Sequence, residues 1–287
     1  MATLREIKNR IQAVSNTQKI TKTMEMISAA KAKRATDKVH AAQPYARKLN
    51  ELVSSLSSAS KGTFHPLLRK PESIKRIGVL IVTANRGLCG GFNNNVIKLA
   101  LLKIMEHTNA GIQVEVHLVG KKSVNVFKYK KVAFEKSYTH IDDKPSFTDA
   151  SEFADFFMEK FETGYFDAVE IVSTKYLSSS KQTADVNRVL PLTLDNKSDS
   201  RAGSAVFEPD AETIMTELLP RATRVAFYQA LLESVASEQI ARRIAMKNAT
   251  DSASDMIKDM TRSYNRARQA KITQEISEIV AGADSVS

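Results

Sequence analysis

The residues that most suggest chemistry are Arg86-Gly87-Leu88-Cys89-Gly90-Gly91, inside TANRGLCGGFNNN. They follow an apolar run and precede residues at helical spacing, where Rossmann and P-loop proteins hold phosphate on backbone amides. The pattern is not G-x-G-x-x-G, and it lacks the Gly-Lys-Ser/Thr ending of a P-loop. No acidic residue about twenty positions on is placed to hold a ribose; Glu106 is the nearest candidate. Gly87, Gly90 and Gly91 are therefore read as a structural turn that needs positive φ. Cys89 gains some reactivity from Arg86 nearby, but it has no clustered histidine to activate it. His40, His65, His107, His117 and His140 are scattered without metal-ligand spacing. No Ser-His-Asp set or carboxylate pair stands out. No catalytic residue, cofactor or metal is assigned, and the chain is expected to be non-catalytic by itself.

The turn sits in a stretch of alternating strands and helices. Ile77 to Val82 is a near-continuous apolar run, as expected of a strand buried on both faces of a parallel sheet. Helical spacing follows over Val96–Met105, a strand over Val114–Val119, and a short helix over Lys121–Phe127. Phe134–His140 reads as a short edge strand. Ser151–Phe161 reads as a helix with Phe153, Phe156, Phe157 and Phe161 on its apolar side, and Ala168–Thr174 as a third buried strand. Val186–Leu192 is read as a last strand, and Asp195–Gly203 as a loop. Alternation of this kind predicts a small open α/β domain.

Both ends of the chain read as long helices. Leu4, Ile7, Ile11 and Val14 step three, four, three, and the register continues through Gln18 and Thr21, with Ile20, Met24 and Ile27 on a neighbouring line. Thr3 with Glu6 fits a capping box. At the other end no Pro or Gly interrupts residues 223–280. Such a helix would be roughly 85 Å long at about 1.5 Å per residue. Its stripe is read as Ala249, Ala253, Met256, Met260 and Ala267, with Ile272, Ile276 and Ile279 repeating the step. The seam is rich in Ala and broken by Ser, Thr, Asn and Gln, which favours a slender rod over a leucine zipper. The two ends are expected to form one antiparallel pair. Pro209 suits the first turn of the returning helix, and Pro220 is expected to kink or restart it.

Length, charge and cysteine use bound the function. At 287 residues, 43% hydrophobic and 7% aromatic, the chain is a folded protein with room for one or two domains. No apolar run approaches the roughly 20 residues that span a bilayer, and no apolar signal core follows the basic start. One cysteine excludes an internal disulfide framework. The net charge of +10 calls for an acidic partner, a nucleic acid or a solvated face. Eleven of the Lys and Arg residues lie in the first fifty positions, spread round the helix, with no aromatic before Tyr45. That distribution fits a nucleic-acid groove poorly. A coiled-coil scaffold and a basic nucleic-acid-binding protein stay open as alternatives.

Three blocks carry a family resemblance. LREIKNRIQAVSNTQKITKTMEMISAAK (Leu4–Lys31), NRGLCGGFN (Asn85–Asn93), and SEQIARRIAMKNATDSASDMI with SYNRARQAKITQEISEIV (through Val280) resemble the γ subunits of F-type ATP synthases. The resemblance implies an α/β fold class: a long antiparallel two-helix coiled coil from both termini, plus a central Rossmann-like open α/β domain. The corresponding divisions are 1–60, 74–195 and 209–282. It also implies the central rotor stalk of the complex, coupling proton or sodium flow to the conformational cycle of the catalytic β subunits. Implied partners are the α and β subunits of the ring, the ε subunit and the membrane c-ring, with no nucleic acid and no small-molecule substrate. The site residues carried over are Arg268, Gln269 and Thr273 as a catch on a β loop, and Met24 in the region swept by the β lever. Phe207 and Glu208 carry over as the foot on the membrane ring. The expected location is the cytoplasmic face of a bacterial cell membrane.

Overall fold

The computed structural model describes residues 3–59, 65–192 and 210–284. The chain divides into two compact units, one of Ala29–Ala241 and one of Met1–Ser28 with Arg242–Ser287. The division cuts through both terminal helices, α1 (Leu4–Ala59) and α5 (Ala211–Asp284).

The larger unit is built on a five-stranded sheet. Its elements are β1 (Arg76–Val82), α2 (Phe92–Asn109), β2 (Gln113–Val119), α3 (Lys121–Lys130), β3 (Lys136–Tyr138), α4 (Phe147–Glu162), β4 (Ala168–Tyr176) and β5 (Gln182–Leu190). The spatial order is β3-β2-β1-β4-β5, with β1 parallel to both β2 and β4. The direction of winding reverses at β1, so α2 and α3 lie on one face and α4 on the other. Strand periodicity sorts the core accordingly. Ile77, Val79 and Ile81 face Val96, Ile97 and Ala100 of α2 and Phe127 of α3. Leu80 and Val82 face Phe153, Phe157 and Phe161 of α4. Gly78 shares that second face because a Cβ there would meet the Phe157 ring at 2.9 Å. Over the same face lie Ala46, Leu49 and Val53 of α1 and Leu219, Val225 and Phe227 of α5.

Several element limits differ from the sequence reading. β5 begins at Gln182, four residues before Val186, and pairs antiparallel with β4 as the sheet's last strand. Its inner and outer residues alternate, so its first half carries no continuous apolar run to mark it. It ends at Leu190, before Pro191, which has no N–H to extend a ladder. α4 starts at Phe147, fixed by a capping box in which Ser146 Oγ accepts from Asp149 N at 3.1 Å and Ser146 N donates to Asp149 at 2.7 Å. α5 starts at Ala211, where Asp210 accepts from Thr213 N at 2.8 Å. Pro209 lies outside the described residues, as does the expected loop at Asp195–Gly203. Pro220 neither ends nor restarts α5, which is continuous through it. A proline removes only one intrahelical donor, and Leu219 and Ala222 on either side are buried in the core.

The smaller unit is two helical segments. Thr3 and Glu6 form the reciprocal cap of α1, at 2.9 Å and 3.3 Å. Leu4, Ile7, Ile11, Val14, Gln18 and Thr21 are half-buried, and Ser28 continues the register fully buried. On the returning helix Met246, Ala249, Ala253, Ile257 and Met260 face inward. Ile257, not Met256, occupies the seam; Met256 is 48% exposed. The seam steps three, four, four, three around an antiparallel pair, so the larger apolar residue is not always the inward one. Thr250 Oγ1 donates to Thr21 Oγ1 at 2.8 Å across the pair.

Candidate functional site

The glycine turn is closed on itself. Asn93, buried, accepts from Ala84 N at 2.9 Å and donates to Cys89 Sγ at 3.0 Å. Cys89 is buried with it, so the expected reactivity from Arg86 is not supported; the Arg86 guanidinium instead reaches Asp142 at 3.8 Å. Gly90 takes φ +57° and Leu88 φ +60°. Gly87 and Gly91 have no positive φ, and Gly91 is the cap residue of α2 at φ −81°. The left-handed positions are therefore Leu88 and Gly90, a correction to the reading of all three glycines.

The neighbouring turn uses up the amides that a phosphate would need. Lys121 N donates to Asn85 Oδ1 at 3.0 Å, Lys122 N to Ala84 O at 3.2 Å, and Ser123 N to Thr83 Oγ1 at 3.1 Å. These are the first three N–H groups of α3, the ones a bound anion would otherwise satisfy. Gly120, which leads into them, has φ +92°, and a Cβ there would lie 2.2 Å from Thr83 O. Only glycine fits. The crevice beyond these strand ends is filled by Leu231, Ser234, Val235 and Glu238 of α5, leaving about 20 Å³. That is room for one water. A Rossmann-like topology is present here with its ligand crevice closed by a helix from the same unit.

The ionisable groups elsewhere in this unit are structural. Glu170, buried on β4, accepts from Arg188 at 2.8 Å and lies 3.1 Å from His107 Nε2, tying β5 and the end of α2 to the sheet. His117 is fully buried against Phe156 and Phe157, and burial pushes its pKa down, opposed by its 3.1 Å contact with Glu115. Burial raises Tyr138, beside it, to about 12. Among the described residues no group of His, Cys, Asp and Glu is arranged to hold a metal ion.

The residues carried over from the family lie on the terminal helices. Arg268 and Gln269 are exposed on α5, and their side chains have no partner among the described residues. Thr273 is one turn on, with its hydroxyl donating to Gln269 O at 3.0 Å. Met24 is half-buried on α1, while Ile20 and Ile27, on the same line, are 60% and 52% exposed. Phe207 and Glu208 lie outside the described residues. From Arg268 to Gly282 every residue of α5 is exposed, including Ile272, Ile276, Ile279 and Val280. Two features are not given by the residue pattern: the outward direction of these isoleucines, which only the family resemblance implies for the tip from Ile276, and the closure of the crevice by Leu231–Glu238. A 3-4 spacing signals the first only if a partner is known. For the second there is no local signal, because the contact spans some 150 residues of chain.

Comparison with known proteins decides the family. A family model described as ATP synthase matches residues 3–286. The ATP synthase gamma chain of Leptospira biflexa is 52% identical over 289 residues, covering 100% of both chains. The chain belongs to the ATP synthase gamma chain family. The gamma chain of Gemmatimonas aurantiaca is 45% identical over 289 residues, covering 100% of this chain and 99% of that one. A solved chain from the Euglena gracilis mitochondrial ATP synthase (OSCP/F1/c-ring, rotational state 3) shares the fold at a TM-score of 0.70 and 21% identity. It covers 99% of this chain and is itself covered over 94%. As a gamma-family member, the chain is a subunit of the ATP synthase and part of a membrane-associated complex. None of its described helices is long and apolar enough to cross the membrane itself.

Proposed function

We propose that this chain is the central rotor stalk of an F-type ATP synthase. Torque from ion flow through the membrane rotor passes along it and drives the catalytic β subunits through their conformations in turn. The chain is non-catalytic itself and works at the cytoplasmic face of a bacterial cell membrane, between an α/β ring, an ε subunit and the membrane c-ring. The observation that carries this reading is the end of α5, exposed all round over 268–282 with Ile272 at 48%, Ile276 at 56% and Ile279 at 71%. Contiguous apolar surface of this kind marks a binding face. A single helix wetted on all sides fits the axle of a ring better than the seam of a two-stranded scaffold.

The site residues acquire roles on this reading. Arg268 and Gln269 offer unpartnered donors to a β loop, and charge-assisted hydrogen bonds are the strong class. Thr273 sits one turn further along. Met24, half-buried beside exposed Ile20 and Ile27, lies on the surface a β lever would sweep. Phe207 and Glu208 would stand on the c-ring.

The test is co-purification of tagged chain with the α, β, ε and c subunits, with and without Ile276→Lys plus Ile279→Lys. Wild-type chain should carry the ring subunits at fixed ratio, and the double substitution should release them while the free chain stays folded. Retention of the ring by the double variant would overturn the axle reading. Salt-sensitive retention on DNA in place of subunits would favour the nucleic-acid alternative.

A further inference from the structure

One residue of the glycine turn has bonds that reach well outside it. Asn85 donates from Nδ2 to Thr139 O at 3.2 Å and to Ile141 O at 2.7 Å, and accepts from Lys121 N at 3.0 Å. Both amide donors and the oxygen are therefore used. They hold the connection between β3 and α4. That connection is anchored again by buried Ile141 and Pro145 and by the Ser146 cap of α4. Between these anchors stands Asp143, whose carboxylate accepts from Lys31 Nζ of α1, 112 residues away in sequence. The Asp143 side chain is 18% exposed and that of Lys31 37%, so the pair is partly withdrawn from water. Among the described residues it is the one ion pair that α1 makes beyond its own length.

The apolar contacts of this part of α1 are shallow. Ala32, Ala35, Val39 and Ala42 meet Tyr176 of β4 and Leu232, Ala236 and Ile240 of α5, and Ala46 follows in the next cluster. Helices fix one another by setting side-chain ridges into grooves, and methyl groups make low ridges. A seam of four alanines and one valine resists separation more than it resists a turn or a slide. A charge-assisted hydrogen bond, by contrast, has one best geometry. Fixing register is the best-attested use of an ion pair withdrawn from water.

We propose that Asp143 is a positioning residue that sets the rotational and axial register of α1 through Lys31, and that Asn85 holds Asp143 in place for it. The functional half of this proposal rests on the rotor reading. Met24, the residue assigned to the β lever, lies seven residues before Lys31 on the same helix, about two turns away. An error of register at Lys31 is carried along the helix to it. Loss of the charge-assisted bond should raise the share of misregistered chains about tenfold.

Register is read on the full free chain by pulsed electron resonance, as the distance between spin labels at Lys38→Cys on α1 and Lys128→Cys on α3. Both positions are exposed, and Cys89 is buried out of the label's reach. The labelled chain should give one narrow distance. Asp143→Asn and Lys31→Met should each add a second, as should Asn85→Asp, which keeps the acceptor for Lys121 N and loses both donors. Asp143→Glu, and the exchange of Lys31→Asp with Asp143→Lys, should restore the single distance. One narrow distance in both Asp143→Asn and Lys31→Met overturns the proposal, whatever the chain does in a complex. Function is read on the assembled complex in sealed vesicles, as protons or sodium ions pumped per ATP hydrolysed. Asp143→Asn should lower that ratio several-fold while hydrolysis and subunit ratio hold, and the charge exchange should recover it. A merely structural tie would lower hydrolysis and assembly together. An unchanged pumping ratio, with the second distance present, overturns the positioning role. Failure of the unsubstituted chain to assemble with the ring would sink the rotor reading and leave the register of α1 to be decided by the distances.

Discussion

Isoleucine occupies opposite environments in the two units. Ile77, Ile81 and Ile171 on β1 and β4 are wholly buried, whereas Ile272, Ile276 and Ile279 on α5 are about half exposed or more. Full burial of such a side chain contributes about 1.5–3 kcal/mol. The sheet collects that contribution within one chain, from layers on both faces. The end of α5 leaves most of it uncollected, and its helix gets little support from tertiary packing. One region is complete as folded, and the other is complete only when something surrounds it.

The most severe test of this contrast is amide exchange on the free chain. Opening free energies range from near zero at wetted helix ends to the global value in core strands. Amides of Ile77–Val82 and Ile171–Val172 should therefore be protected at least ~10³-fold more than those of residues 268–282. Uniformly slow exchange would erase the distinction. Assembly with the ring should then slow 268–282 selectively.

Paired truncations measure the same contrast in energy. Phe157 is fully buried, stacked on Phe227 at 5.7 Å and tilted against Phe166 at 5.9 Å. Phe157→Ala should cost about 3–5 kcal/mol in urea melts of the free chain. Ile276→Ala should change it by less than about 0.5 kcal/mol, while weakening assembly with the ring. Equal costs in the free chain would show that α5 is packed at its end after all.

How far each region could be read in sequence follows from the same physics. The α1 seam from Leu4 to Thr21 was legible because a regular 3-4 step and the Thr3–Glu6 cap are local signals. The buried strands were legible as apolar runs, and so was the second half of β5 from Val186; its first half, Gln182–Asp185, was not, since it carries no apolar run. The Ser146–Asp149 box stands in the sequence as S-x-x-D before the apolar stripe that begins at Phe153, and so moves the start of α4 ahead of that stripe. At the glycine turn, residue type suggested three special positions, whereas the backbone places one left-handed angle on Leu88. Burial of Ser234, Ser237 and Glu238 on α5 could not be read at all. Polar residues in an uninterrupted helix look solvent-facing until the sheet end they cover is known. Arg268, Gln269 and Thr273 came from family likeness, because exposed polar residues on a helix carry no signal of their own.

Within the buried region a smaller effect depends on pH. Burial lowers the pKa of folded His117, so the unfolded chain takes up a proton that the folded chain refuses. The contribution is intact above about pH 6.5 and is lost as pH falls through that value toward the folded pKa. Stability of the free chain should decline below pH 6.5, with at most about 1.4 kcal/mol per pH unit from this group. The charges facing it oppose one another: Glu115 and Glu135 favour the proton and Lys136 disfavours it. Melts of His117→Gln, which cannot titrate, should show a shallower decline between pH 6.5 and 5. An unchanged slope would place the sensitivity in other groups.

The smallest effect on the free chain should come from the residues proposed to matter most in the complex. Arg268 and Gln269 are exposed without side-chain partners, so replacing both with alanine removes no intramolecular bond and slightly favours the helix. Melting of the free chain should move by less than about 0.5 kcal/mol. In the assembled complex a charge-assisted bond to a β loop, formed in only some rotary positions, would be worth roughly 1.5–3 kcal/mol. A contact made at one stage of a cycle alters rate more than assembly, so ATP turnover should fall several-fold at unchanged subunit ratio. Thr273→Ala should do less, because the Thr273 hydroxyl already bonds to Gln269 O within the helix at 3.0 Å. Turnover and subunit ratio are to be read on the same preparation. Unchanged turnover with the complex intact would remove the catch from these residues. Loss of assembly would make them fixed pins of the axle, and the contrast between a self-sufficient sheet and a partner-dependent helix would then rest on the isoleucines alone.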